Sequence, residues 1–153
     1  VIGRERDIQE ILNYRNVLKF IDQVSLQTGI TQNYILTLET LMEIHKITTH
    51  KILPGESTGQ FRSRQVVIKN SATGQVSYTP PPAAEVPFLI EDLVNWINDE
   101  ETKEMHPVIK AGVIHYEIAR IHPFVDGNGR TARALANLVL FLDGYDIRRF
   151  FSL

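Results

Sequence analysis

Residues 122–133 read HPFVDGNGRTAR, and this run gathers more reactive side chains than any other in the chain. His122 can take or give a proton near neutral pH. Asp126 is a hard oxygen ligand of the kind that suits Mg²⁺. Gly127 and Gly129 let the backbone approach an anion closely. Arg130 and Arg133 stand i and i+3, so a helix places them side by side, and a guanidinium fork binds phosphate oxygens bidentately. The apolar run ALANLVLFL that follows supplies the helix. Asn128 opens it, where unpaired N–H groups and the positive end of the dipole attract anions. Taken singly, these residues also suit a plain turn, an Asx cap and a solvated arginine face. Their joint spacing describes a site for a phosphate ester. Pro123 and Phe124 are structural parts of the run, and Phe124 is expected to anchor the loop in the core.

Several elements must position this run. An amphipathic helix is expected from Arg4 to about Ser25, with Ile8, Ile11, Leu12, Val17, Leu18 and Ile21 near a 3.6 period. Gly29 breaks it, and Thr31 is read as the N-cap of a helix over 32–47 that turns Ile35, Leu38, Leu41, Met42 and His45 inward. Residues 51–63 form a loop. Gln65–Lys69 and Gln75–Tyr78 read as a hairpin around Asn70–Gly74, closed by Pro80, Pro81 and Pro82. Glu85–Asn98 is helical, with Phe88, Leu89, Leu93 and Trp96 inward. Pro107 suits the first turn of a helix running to about His122. Its apolar residues, Val108, Ile109, Val113, Ile114, Ile118 and Ile121, lie on nearly every side, so it is read as the central buried helix. His115, seven residues before His122, is read as a buried structural histidine or a residue that orients the site. The last helix spans about Asn128–Asp143, with Gly144 at C′. The fold class is therefore all-α with a small β-hairpin.

The bulk numbers narrow the field. The chain has 153 residues, 43% hydrophobic and 22% charged, which suits one domain with a proper core. A net charge of −2 draws it neither to nucleic acid nor to an anionic membrane. Without cysteine there is no disulfide framework and no thiolate metal site, which fits a cytoplasmic setting. No segment has the roughly 20 apolar residues that span a bilayer. The ending RRFFSL is apolar and uncapped, so the chain reads as a fragment of a longer protein.

The run 122–133 resembles the signature of the Fic (filamentation induced by cAMP) family, HPFx(D/E)GNGRxxR. His122, Pro123, Phe124, Asp126, Gly127, Asn128, Gly129, Arg130 and Arg133 all match it. Gly59-Gln-Phe61-Arg62, Val67 and Ile68, and Tyr78 with Pro80-Pro81 resemble the family's flap region. Residues 106–121 resemble the helix before the motif, and Glu39–His45 the helix ahead of the flap. The resemblance implies a single Fic-fold helical bundle over 1–153, with an N-terminal helix in 1–30, a flap hairpin in 60–82 and core helices in 107–144 that flank the motif loop.

By the same resemblance the activity is AMP transfer from ATP to a Ser, Thr or Tyr hydroxyl of a protein target. His122 is the general base and Asp126 holds Mg²⁺. Gly127, Asn128 and Gly129 form the anion hole, and Arg130 and Arg133 hold the outer phosphates. Val67 and Ile68 bind the target backbone as an added strand. Relatives of the Doc kinase type carry Lys where Gly129 stands, so Gly129 favours adenylylation. Many Fic proteins carry an inhibitory helix, (S/T)xxxE(G/N), whose Glu pairs with the second arginine. No Glu here is followed by Gly or Asn, so inhibition is expected from upstream sequence in cis or another chain in trans, and an unpaired Arg133 predicts an active fragment. Self-association is a further expectation of the family. The competing readings are removal of AMP from a target, transfer of another phosphate-containing group, and a non-catalytic nucleotide-sensing or protein-binding module.

Overall fold

A computed structural model describes residues 2–28 and 34–145. Among these residues six α-helices carry the fold: α1 (Ile2–Thr28), α2 (Leu38–Thr49), α3 (Val86–Asn98), the single turn α4 (Glu100–Lys103), α5 (Pro107–Ile121) and α6 (Asn128–Leu142). Between α2 and α3 lies an antiparallel pair, β1 (Ile68–Lys69) and β2 (Val76–Tyr78). The all-α class with a small hairpin holds. Among the described residues no helix is long and apolar enough to cross a membrane.

The most buried helix is α6, not α5 as its composition suggested. Leu135, Leu138, Val139 and Leu142 of α6 are each at most 2% exposed, and α6 packs against α1, α2 and α5. Burying each such side chain stabilises the fold by about 1.5–3 kcal/mol. α5 buries only the stripe Lys110, Ala111, Ile114, Ile118 and Ile121. Val108, Ile109 and Tyr116 face out, and so does His115, which is neither a core residue nor a part of the site. Its spacing from His122 misleads because His122 has left the helix: it is the C-cap, in the left-handed conformation at φ 51°.

α1 also buries an unexpected face. Val17 and Ile21 are buried together with Asn13, whose amide donates to the Thr48 and His50 carbonyls at the end of α2. Ile8, Ile11 and Leu12 lie on the opposite side of a 3.6-residue helix and are exposed. The inward face of α1 thus joins Val17 and Ile21 to a polar residue that bonds the end of α2, and leaves Ile8, Ile11 and Leu12 outside it. The second helix starts at Leu38, capped by the Thr37 hydroxyl on the Thr40 amide. Gly29 and Thr31 lie outside the described residues. Leu41 and His45 are buried as expected and Met42 is half-buried, whereas Ile35 and Leu38 are exposed. In α3 the buried stripe is Val86, Ile90, Leu93 and Ile97, and Phe88, two residues from Val86, is 69% exposed.

The hairpin is shorter than its pattern suggested. Ile68 pairs with Tyr78 and Lys69 with Val76, with a bulge between. Pro80, Pro81 and Pro82 cannot donate to a ladder, so pairing stops at Tyr78. The turn holds through the Asn70 carboxamide oxygen, which accepts from the Ala72 and Thr73 amides, and through Gly74 at φ 70°.

Candidate active site

The motif loop runs from the end of α5 to the start of α6, and its own side chains build it. The Asn128 carboxamide accepts from the Phe124 amide at 2.9 Å and donates to the Phe124 carbonyl at 2.8 Å. Asn128 is 3% exposed, so its side chain fastens the loop and is not available to a ligand. Phe124 is fully buried, stacked on the His45 ring at 3.7 Å. Pro123 is buried beside it, and both are the structural residues expected. Gly127 is the N-cap at φ 81°. A Cβ there would also meet the Thr49 methyl at 2.6 Å, so geometry and space both demand glycine. Gly129 differs: its missing Cβ faces only the tip of Arg133, at 3.4 Å. The amides from Asn128 to Arg130 open the helix with no carbonyl one turn back, around an open glycine.

His122 is half-buried at the other end of the loop. Its Nδ1 lies 3.3 Å from the Ala119 carbonyl. A carbonyl only accepts, so Nδ1 carries the proton and Nε2 keeps its lone pair. Burial pushes the pKa of His122 down and the charge of Arg62 adds to this, against the Ala119 carbonyl and Asp126. The neutral ring therefore prevails at physiological pH, as a base requires.

The Asp126 carboxylate has three partners among the described residues. It accepts from the Gly127 amide at 2.6 Å and from Arg6 at 2.8 Å, and Arg130 lies at 3.5 Å. Burial would raise its pKa, but Arg6, the Gly127 amide and Arg130 together hold it below the usual carboxylate value. Arg130 also meets Glu10 at 3.2 Å. Arg133 is exposed, and among the described residues no carboxylate is paired with it. Glu10, Asn13, Tyr14, Thr48, Arg130 and Arg133 line a cleft of about 50 Å³. Val67 is 43% exposed and Ile68 sits in the short ladder. The Tyr78 hydroxyl ties the flap to the Arg120 carbonyl near the end of α5, at 2.9 Å.

Four residues of this site were not legible in the motif. Arg6 and Glu10 reach it from α1. His45 accepts from the Gly59 amide through Nδ1 at 2.8 Å, so Nε2 holds the proton and donates to the Asp126 carbonyl at 2.9 Å. Burial, with the charge of Arg130, keeps its pKa low. Arg62 grips the carbonyls around His122. Their one sequence signal was the place of His45 and Arg62 in segments resembling the helix before the flap and the flap itself.

The Fic/DOC family profile matches residues 35–140. The chain belongs to the Fic/DOC family. Curated relatives include the "Protein adenylyltransferase Fic" of Culex quinquefasciatus, 36% identical over 89% of this chain and 25% of that protein. The protein of the same name from Drosophila mojavensis is 34% identical over 89% and 24%. The chain thus spans about a quarter of the length of these relatives. Among solved structures, a Fic domain containing signaling protein from Bacteroides thetaiotaomicron superposes with a TM-score of 0.75, at 30% identity, over 91% of this chain and 50% of that one.

The donor set of this Fic domain bears on a metal. No three His, Cys, Asp or Glu side chains of the described residues converge into a cage. One carboxylate beside a helix N-terminus is nonetheless what Mg²⁺ needs when it arrives on nucleotide phosphates, because it keeps several waters and takes one or two protein carboxylates. Asp126 fits that role.

Proposed function

We propose that this domain transfers AMP from ATP to a hydroxyl of a protein target. The carrying observation is the pairing of a neutral His122, its Nε2 free, with the α6 N-terminus and Arg130 and Arg133. In this reading the Nε2 lone pair takes the proton of the target hydroxyl. The oxygen attacks the α-phosphorus, the bond to the bridging oxygen breaks, and pyrophosphate leaves. The amides of Asn128 and Gly129 receive the charge that grows on the phosphate oxygens, while the Gly127 amide stays bonded to the Asp126 carboxylate. Arg130 and Arg133 hold the β- and γ-phosphates and orient the leaving group. Asp126 would hold Mg²⁺, which would supply neutralisation of phosphate charge. The names of the relatives support this reading.

The test is incubation of the chain with Mg²⁺, α-labelled ATP and lysate proteins, beside His122→Ala. General-base catalysis contributes about 10²–10⁴-fold, so label should fall by that factor while ATP still binds. Equal labelling by the variant would sink the assignment. ATP binding with no labelling by either protein would favour a nucleotide-sensing module.

The flap would receive the target backbone as an added strand. Val67→Pro removes one backbone donor at the exposed edge, and target modification is expected to fall while self-labelling persists. Unchanged target modification would rule strand pairing out.

A further inference from the structure

Arg62 is 3% exposed, and among the described residues it meets carbonyls and no carboxylate. A buried guanidinium is costly unless its donors are satisfied. Its acceptors are not scattered. Nε donates to the His122 carbonyl at 2.7 Å, and a terminal nitrogen reaches the Ile121 carbonyl at 3.3 Å. The Arg62 backbone amide donates to the Pro123 carbonyl at 2.9 Å. One residue thus holds the carbonyls of 121, 122 and 123. The same guanidinium binds the Pro81 carbonyl at 2.5 Å and the Arg64 carbonyl at 3.1 Å, one on each arm of the flap. In the middle stands His122, left-handed at φ 51° and ψ 59°. Glycine usually takes that place at a helix end, and another residue keeps it only where its surroundings over-determine it.

We infer that Arg62 is the positioning residue of the general base: it fixes the direction in which His122 presents its imidazole and couples that direction to the flap. This rests on the reading of His122 as the base and adds that base and flap move as one unit. Arg62 grips the His122 carbonyl, not its ring, so it acts through His122. Its charge also opposes the imidazolium, as burial does, whereas the Asp126 carboxylate and the Ala119 carbonyl favour the proton.

The experiment compares the chain with Arg62→Met and Arg62→Lys. The readouts are kcat and KM for AMP transfer, the Kd for ATP, the thermal midpoint, and the NMR titration of the His122 ring, assigned with His122→Ala. Arg62→Met should lose about tenfold to a hundredfold in kcat, the scale of a 1 Å misplacement, with the Kd for ATP unchanged. Its His122 titration should move to higher pH. Arg62→Lys keeps the charge, so its titration should stay in place, its ring shifts should change, and its kcat should fall less. A variant with a lower thermal midpoint but wild-type kcat and titration would overturn the inference, since that is how a merely structural residue behaves. Should Arg62→Met not fold, a folded Arg62→Lys with wild-type kcat and ring shifts overturns it equally. Absence of AMP transfer by the wild-type chain sinks the proposed function instead. The ring shifts and titration then still decide whether Arg62 holds His122.

Discussion

The two glycines of the motif occupy different physical situations. Gly127 is left-handed, with the Thr49 methyl 2.6 Å from where a Cβ would stand. Gly127→Ala should therefore destabilise the fold by about 1–3 kcal/mol, read by urea denaturation. Gly129 lies in the first turn of α6 with little around its missing Cβ. Gly129→Ala should leave stability unchanged or raise it by about 0.5–1 kcal/mol, the usual gain for alanine in a helix. Its cost should appear as weaker ATP binding, because under the proposed function the methyl would stand where a phosphate approaches the amides. If Gly129→Ala binds ATP as the wild type does, close approach at this position is not needed. The motif revealed both glycines, but their division of labour rests on a φ angle and on Thr49, far away in sequence.

At the scale of elements, α1 decides how open the site is. Arg6 and Glu10 form ion pairs with Asp126 and Arg130, the two groups assigned to metal and phosphate. Arg6 is half exposed, and such a pair contributes about 0–1 kcal/mol. A multiply charged nucleotide with its cation would outweigh that, so under the proposed function α1 is a weak competitor and not a lock. Arg6→Ala should tighten binding of Mn²⁺ with ATP by at most about fivefold, the factor equivalent to 1 kcal/mol. Calorimetry reads this without reference to turnover. A tighter gain would mark α1 as a true inhibitory element, and a loss would make Arg6 part of the binding site. The helical period of α1 was legible, but its inward face was not. Asn13, bonded to the end of α2, lies on that face with Val17 and Ile21, and Ile8, Ile11 and Leu12 point away.

Across the whole molecule, the end of the bundle opposite in sequence to the motif holds a buried ion pair. Lys110 and Asp143 meet at 2.6 Å with side chains 2% and 1% exposed. The Lys110 ammonium also lies 5.5 Å from the centre of the Tyr34 ring. Burial, with the charge of Asp143 beside it, pushes the Tyr34 phenol well up. The pair joins the first turn of α5 to the C-cap of α6, the two helices that deliver His122 and Gly127 at their other ends. Lys110→Met should cost about 3–5 kcal/mol by leaving Asp143 buried without a cation, and Lys110→Met with Asp143→Leu should recover most of it. Chemical denaturation of the three proteins checks this. A double variant no more stable than the single one would mean that the site cannot repack.

The sequence by itself determined the helical class, the bounds of α3, α5 and α6 to within a residue or so, and the motif with its ordered set of histidine, carboxylate, glycines and arginines. Those are local properties: propensity, caps, breakers and spacing act over a few neighbouring residues. Tertiary structure alone decided that α6 and not α5 is the buried helix, and which faces of α1 and α3 turn inward. It also decided that Arg6 and Glu10 reach the site, and that His45 and Arg62 hold the loop. Each of these depends on which surfaces meet. A hydrogen bond from Arg62 to the His122 carbonyl spans 60 positions of chain, and no local pattern encodes a partner that far away.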